Sequence, residues 1–201
     1  MAWVTGGKHF GQYTYEHWFD YNLKIEGETI MQKEVITLFA RYNMSANGKM
    51  DSIIRTLSPA EWDKPLGGYF PSVRSLCSHL YICDFNWLKR FRGIRTFTVL
   101  GDPFFNGNYS FQETIFENME DYFAKRPDMD RLICAFADEL SDTDMEKEFS
   151  YTDSHGEVHQ KKAGGFILQF LNHQTHHRGM ISVYLEMLGK ANDFSSLRQV
   201  L

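Results

Sequence analysis

Histidine is the residue type in this chain whose spacing most clearly predicts chemistry. Residues 172–179 read Asn-His-Gln-Thr-His-His-Arg-Gly and contain His173, His176 and His177. Each residue of an α-helix advances by about 100°, so His173 and His177, four positions apart, lie within about 40° of each other. Two imidazoles on one helix face can bind one metal ion, and this spacing therefore indicates part of a metal site.

A third ligand is needed, and His79 is the candidate. It lies in the middle of an apolar helical stretch, where an imidazole without a partner would be costly. Three neutral imidazoles without a fourth protein ligand are typical of catalytic zinc sites and also suit nickel and iron. We therefore predict a divalent metal ion, zinc, nickel or iron, held by His79, His173 and His177. The alternative is that these are core histidines of a helical bundle that binds no metal.

Two further side chains are close to the predicted site. His176 is about 100° from His177 and about 60° from His173 around the helix, so we expect it beside the metal, in a hydrogen bond or a helix contact. Cys83 follows His79 by four residues and could bind zinc as a thiolate, but a buried small side chain is the favoured interpretation. The remaining histidines are expected to be solvated: His9, His17, His155 and His159.

Long amphipathic helices must position these side chains. Apolar residues recur at i, i+3 and i+4 over four stretches, about 31–57, 72–91, 111–140 and 164–188. Ser72 is expected to cap the second helix, and Ser110 with Glu113 is expected to form a capping box that opens the third. Pro127 predicts a break or a kink in the third helix, and a break would give pieces at about 111–125 and 128–140. Gly189 is a natural C-terminal cap for the last helix.

Two segments differ from the helices. Residues 149–152 and 157–161 are short extended runs around the turn residues 153–156, which predicts a hairpin. Residues 1–29 crowd aromatic side chains among polar residues and predict an arm that wraps a surface. The expected architecture is all-α: an up-down-type four-helix bundle domain over residues 30–201, with a small β-hairpin excursion and the N-terminal aromatic arm.

Composition limits the functions that the chain can have. A length of 201 residues fits one domain, and a net charge of −5 gives no basic surface for a nucleic-acid backbone. No apolar run approaches the roughly 18 residues of a membrane span, and the N-terminus lacks a secretion signal, so we expect a cytoplasmic protein without a membrane partner. Three cysteines are too few for a disulfide framework. Glycine-rich phosphate loops, serine elbows and CxxC pairs are missing from the sequence.

Several segments together resemble the DinB-like (DNA-damage-inducible) family of metal-binding four-helix bundles. The resemblance covers most of the chain and rests on residues 38–43 (LFARYN), 76–80 (LCSHL), 87–88 (WL), 151–157 (YTDSHGE), 172–179 (NHQTHHRG), 184–185 (YL) and 188–189 (LG). In that family a histidine of the second helix and the first and last histidines of the final HxxxH bind a divalent metal. The resemblance implies that these ligands are His79, His173 and His177.

The resemblance also suggests a reaction class. Some relatives resemble transferases or isomerases that use a low-molecular-weight thiol at the metal. Since relatives also resemble dimers, the resemblance implies a homodimer. Our first hypothesis is a metal-dependent enzyme, with an incoming thiol or water as the nucleophile and a small-molecule substrate. The second hypothesis is a non-catalytic module. In such a module the metal joins two helices, or the protein binds a small molecule as part of a stress response.

Overall fold

The structure, a computed structural model, describes residues 33–111, 113–153 and 156–201. The predicted arm, with His9 and His17, and the turn residue His155 lie outside the described residues. The helices and strands are α1 (Lys33–Ile54), α2 (Pro59–Trp62), α3 (Val73–Phe91), α4 (Met119–Glu139), α5 (Asp142–Met145), β1 (Glu148–Thr152), β2 (Val158–Lys162) and α6 (Ala163–Met187). The predicted all-α fold with one small hairpin is confirmed. None of the described helices has the length and apolar character to cross a lipid bilayer.

The four long helices, α1, α3, α4 and α6, form the bundle. α1 packs against α4 and α6, and α3 packs against the same two helices, so α1 and α3 are diagonally opposite. The backbone N–H of Lys33, at the start of α1, donates to Asp142 beyond the end of α4 at 2.8 Å, whereas Asp51 near the end of α1 accepts from Tyr122 near the start of α4 at 2.6 Å. α1 and α4 are therefore antiparallel.

α3 and α4 run in the same direction. Arg74 at the start of α3 donates to the carbonyl of Phe116, just before α4, at 2.6 Å, and Phe91 at the end of α3 stacks on Phe136 near the end of α4. α6 is antiparallel to α3, since Phe166 packs on Trp87 near the end of α3. The long helices therefore run up, down, down, up, and a long connection joins α3 to α4.

The start of α4 differs from the prediction. Ser110 does donate its backbone N–H to Glu113 at 2.9 Å, but no helix follows the turn that this contact closes. α4 begins at Met119, where the Asn118 side chain caps it by accepting a backbone N–H at 2.9 Å. A capping contact contributes only about 1 kcal/mol and cannot by itself start a helix. The intervening Phe116 is fully buried and draws the chain into the core instead.

Pro127 does not divide α4, so the prediction of two pieces, 111–125 and 128–140, is wrong. Proline lacks the N–H that would bond to the carbonyl of Phe123, which normally breaks a helix. Pro127 is on the exposed side of α4, where water can bond to that carbonyl. The buried neighbours Arg126 and Asp130 bond to each other on the inner side and keep the helix continuous.

The hairpin prediction is confirmed. β1 and β2 pair in antiparallel register, with Ser150 opposite Gln160. Phe149 and Tyr151 point from β1 into the core, and the Tyr151 ring stacks on Phe166 of α6 with centroids 5.1 Å apart. The hairpin is therefore attached to the end of the bundle by aromatic packing.

Candidate metal centre

Three imidazole rings meet between α3 and α6. The Nε2 atoms of His173 and His177, both on α6, are 3.0 Å apart. One ring nitrogen of each of His79, His173 and His177 lies within 4.8 Å of the other two. His79 is 5% exposed and His177 0%, while His173 is half-buried and forms the open side of the group. The structure brings the three predicted histidines together, and we refer to them as the histidine triad.

Local sequence positions the two helices of the triad. Ser72 caps α3 as predicted: its hydroxyl accepts the backbone N–H of Ser75 at 3.2 Å, and the Ser75 hydroxyl accepts that of Ser72 at 2.9 Å. α6 continues without interruption to Met187, and Gly189 then adopts a φ of 74°, which glycine accommodates and which ends the helix as predicted. The histidines therefore lie well inside regular helices whose ends are fixed.

The loop before α3 covers the triad, which the sequence did not predict. Phe70 packs its ring 4.3 Å from that of His79 and 5.5 Å from that of His177. The hydroxyl of Tyr184 donates to the Phe70 carbonyl at 2.6 Å and holds the loop against α6. A Cβ at Gly68 would collide with that hydroxyl. The Gly67-Gly68 pair indicates a loop in the sequence, but not one that closes over the histidines.

Burial keeps the triad neutral. Desolvation lowers the pKa of His79 to about 4, although a hydrogen bond to the backbone of Phe111 acts in the opposite direction. Desolvation and the neighbouring histidines lower the pKa of His173 to about 3 and also lower that of His177. At neutral pH each ring therefore has one nitrogen with an available lone pair, which is the form that binds metals.

The geometry of the triad fits a divalent metal. Two nitrogens bound to one zinc ion at about 2.0–2.1 Å can be at most about 4.2 Å apart, and the Nε2 atoms of His173 and His177 satisfy this limit at 3.0 Å. Possible ligand atoms of all three side chains lie within 4.8 Å of one another, and the neutral imidazole nitrogen suits zinc, nickel and iron. The triad could therefore hold a zinc, nickel or iron ion.

The two neighbouring candidates lie beside the triad. His176 is exposed, and its ring meets that of His177 edge to face at 4.8 Å. Cys83 is buried, with its Sγ atom 3.4 Å from Nε2 of His79, and burial raises the pKa of its thiol. Neither His176 nor Cys83 belongs to the group of side chains whose possible ligand atoms lie within 4.8 Å of one another.

The prediction that His159 is solvated is wrong. Its ring stacks on Tyr151 at 5.2 Å, and its Nε2 atom lies 2.7 Å from the carboxylate of Asp153. Asp153, Glu157 and His159 form a second group with possible ligand atoms within 4.8 Å of one another. Asp153 also accepts the backbone N–H of Glu157 at 2.9 Å. These contacts close the hairpin turn, which accounts for the group.

A network of buried polar side chains, which the sequence analysis missed, adjoins the triad. Gln174, next to His173, donates to Asp84 of α3. Arg126 of α4 donates to Asp84 at 2.7 Å and to Asp130 at 3.1 Å. All four of these polar side chains are at most 4% exposed.

The same network extends to α1. Arg178, next to His177, donates to Asn43, and its Nη1 atom is 3.4 Å from the Asn47 side-chain oxygen. Asn47 in turn donates to Asp130 at 2.8 Å. We call Asn43, Asn47, Asp84, Arg126, Asp130, Gln174 and Arg178 the buried network; it connects all four long helices.

Burial dominates the ionisation of this network. Desolvation raises the pKa of Asp84 to about 7, with the guanidinium of Arg126 opposing the shift. The available sequence signal was an aspartate within the apolar α3 stretch, between Cys83 and Phe85. A charged residue in that position needs a buried partner. The partner is 42 residues away, so the sequence does not identify it.

Two comparisons with known proteins show which family the chain belongs to. The model of the DinB family matches residues 31–195, a range that includes all three histidines of the triad. Protein DinB of Bacillus subtilis (strain 168) is 23% identical over 154 residues, which cover 75% of this chain and 84% of that protein. The family match spans most of the chain, from before α1 to beyond α6. This protein is therefore a member of the DinB family.

Proposed function

We propose that this protein binds a divalent metal ion through His79, His173 and His177 and is a metal-dependent enzyme of the thiol-dependent transferase or hydrolase type. The observation that carries the proposal is the convergence of three neutral imidazoles from two helices, of which two are buried and the third is half-buried. An ion bound by such a ligand set lowers the pKa of coordinated water to about 7 and stabilises a thiol as its thiolate.

The residues around the triad support a reactive site rather than a closed one. Three protein ligands are the number found at catalytic zinc sites, whereas structural zinc sites have four. Phe70 covers the rings of His79 and His177 and excludes water from that side. His173 is only half-buried, so a small molecule can approach the triad from its side.

Turnover with and without metal tests the enzymatic proposal. The assay follows transfer of cysteine, a low-molecular-weight thiol, to a chromogenic aryl halide. We expect zinc-loaded or nickel-loaded protein to accelerate the transfer and both chelated protein and the His177→Ala variant to lose the acceleration. His176→Ala is the matched control, because it removes an adjacent exposed imidazole outside the triad. Full activity in metal-free protein would contradict the proposal.

The second candidate is a non-catalytic module in which the ion joins α3 to α6. It is favoured by the origin of the ligands on two different helices, because an ion held by both would link them. Thermal melting with and without a chelator distinguishes the two. A large loss of Tm on chelation, without turnover in the loaded protein, would favour the module. The homodimer, the thiol partner and the cytoplasmic location remain predictions, and light scattering tests the first.

A further inference from the structure

A cavity of about 490 Å³ lies between α4, the 3₁₀ turn Pro103–Asn106 and Tyr81 of α3. This volume is within the range of roughly 300–1,000 Å³ that is usual for small-molecule sites. None of the three triad histidines lines it. Tyr81 follows His79 by two residues, so the two side chains point away from each other, about 200° apart around α3. We call this space the Tyr81 cavity.

The charged side chains of the lining are balanced locally. Its two cations, Lys125 and Arg131, each pair with a carboxylate on α4, Lys125 with Asp121 at 2.7 Å and Arg131 with Asp128. The remaining carboxylate of the lining, Asp102, accepts the backbone N–H of the residue two positions later at 2.7 Å. A charged ligand would therefore have to compete with contacts that the protein already makes, at a cost in hydration.

The Tyr81 hydroxyl differs from these groups. The Tyr81 side chain is 3% exposed, and its hydroxyl has no hydrogen-bond partner in the part of the chain that the structure describes. Its ring is held by edge contacts with Phe116 at 5.4 Å and Tyr109 at 6.5 Å. Buried tyrosine hydroxyls are normally hydrogen-bonded. A hydroxyl at a cavity wall can find its partner in a molecule that occupies the cavity.

Apolar side chains form much of the remaining wall. Met129 of α4 is buried, and Leu132, one turn further on, is half-buried. Phe104 is exposed at the turn, where its ring meets Phe85 edge to face at 5.1 Å. An exposed phenylalanine and two aliphatic side chains beside one hydroxyl favour a ligand that is apolar apart from one polar atom.

We propose that the Tyr81 cavity binds a neutral, largely apolar small molecule through one oxygen atom that accepts a hydrogen bond from the Tyr81 hydroxyl. A tyrosine hydroxyl carries its proton at neutral pH and can donate it to a hydrogen bond. The oxygen of a ketone, ester or amide provides the acceptor, and an attached hydrocarbon ring or chain contacts Phe104, Met129 and Leu132. This site goes beyond the proposed function and does not depend on it.

Binding of small aromatic molecules to the complete, chelator-treated protein tests this proposal. The probes are acetophenone, ethylbenzene, which lacks the carbonyl oxygen, and benzoate, which is charged. The readout is the ¹³C-methyl NMR signal of Met129 in methionine-labelled protein, assigned by its loss in Met129→Leu. Met145 is the internal reference, because it is buried in α5 and does not line the cavity. We expect a saturable shift at Met129 with acetophenone, and weaker binding of ethylbenzene and benzoate.

A variant without the hydroxyl tests the hydrogen bond itself. We expect Tyr81→Phe to weaken acetophenone binding by about three- to tenfold, as for loss of one neutral hydrogen bond, and to leave ethylbenzene binding unchanged. Tyr109→Phe is the matched control, because it removes the same atom from a neighbouring ring that does not line the Tyr81 cavity.

A variant that fills the cavity tests its location. Ala135 is an exposed residue of the lining on α4, so a larger side chain there occupies the cavity without entering the core. We expect Ala135→Trp to abolish the shift at Met129 with both acetophenone and ethylbenzene. This variant also keeps the test valid if Tyr81→Phe unfolds.

The outcomes separate this inference from the proposed function. Acetophenone binding that persists in His177→Ala supports the Tyr81 cavity even if the triad binds no metal. The inference would be overturned if acetophenone gave no saturable shift at Met129, if benzoate bound as tightly as acetophenone, or if Tyr81→Phe or Ala135→Trp bound acetophenone with wild-type affinity.

Discussion

The histidine triad and the buried network lie side by side on α6 and differ in how their polar atoms are arranged. In the network, groups of opposite charge and complementary amides face each other. The guanidinium of Arg126, for example, lies 2.7 Å from the carboxylate of Asp84. In the triad, three ring nitrogens of the same kind face each other within 4.8 Å and carry no charge at neutral pH. The network is complementary to itself, whereas the triad is complementary to a cation.

This difference assigns separate tasks to neighbouring residues. Gln174 and Arg178 each follow a triad histidine and bond to α3 and α1, so they fix the rotation of α6 about its axis. A fixed rotation directs His173 and His177 at His79. Buried ionic groups rarely add net stability over apolar residues, but they specify one arrangement when every partner is present. We therefore expect the network to position the triad and the triad to bind the ligand.

Breaking the network should have the largest effect on stability. We expect Arg126→Ala to lower the free energy of unfolding by about 3–5 kcal/mol, because it leaves Asp84 and Asp130 buried without their cation. Urea denaturation followed by circular dichroism measures the change. Arg131→Ala is the control on the same helix, since the side chain of Arg131 is 66% exposed. Equal losses in the two variants would contradict a distinct role for the network.

Asp51, a buried carboxylate outside the buried network, predicts that the free energy of unfolding depends on pH. Desolvation raises the pKa of Asp51 from 3.8 to about 6, despite its hydrogen bond from Tyr122. The folded state then binds more protons than the unfolded state between these values, so this group lowers the free energy of unfolding as pH rises through that range. We expect Asp51→Asn to be about 1–3 kcal/mol more stable than wild type at pH 7.5 and equal to it near pH 3.

Melting curves at several pH values check the Asp51 prediction. Asp128→Asn serves as the control, because the Asp128 side chain is 66% exposed. If the Asp51→Asn variant were less stable than wild type at pH 7.5, the folded state would favour the ionised Asp51 carboxylate, which would contradict the prediction.

The smallest predicted effect connects the two regions. Gln174→Met keeps the volume of the side chain but removes its donation to Asp84. If the network positions the triad, zinc affinity should fall by about tenfold, as when other partners of metal sites are removed, while helix content stays unchanged. Asn172→Ala, at an exposed position on the other side of His173, should leave the affinity as it is. Calorimetric titration with zinc compares the variants.

The sequence predicted the parts of the fold that local patterns determine. The spacing of apolar residues located α1, α3 and α6, and Ser72 marked the start of α3 correctly. The start of α4 was wrong because Ser110 and Glu113 form the same local contact whether or not a helix follows. The burial of Phe116 decides that choice, and it depends on the whole bundle.

The site could be predicted only as far as its residue types carry a signal. The i, i+4 spacing of His173 and His177 is visible in the sequence, and His79 was identified by its apolar surroundings. Arg126 and Asp84 have no such pattern, because their pairing depends on α3 and α4 lying side by side. The sequence around Phe70 does not indicate that its ring covers the triad, because that position depends on the hydrogen bond from Tyr184 of α6 to the Phe70 carbonyl.

Zinc titration of metal-depleted protein tests the central claim most directly. We predict one ion bound per chain by wild type and by His176→Ala, and affinities at least about 100-fold lower for His79→Ala, His173→Ala and His177→Ala, since each loses one of only three ligands. Wild-type affinity in any of these three variants, with the fold intact, would contradict the claim that the triad is a metal centre.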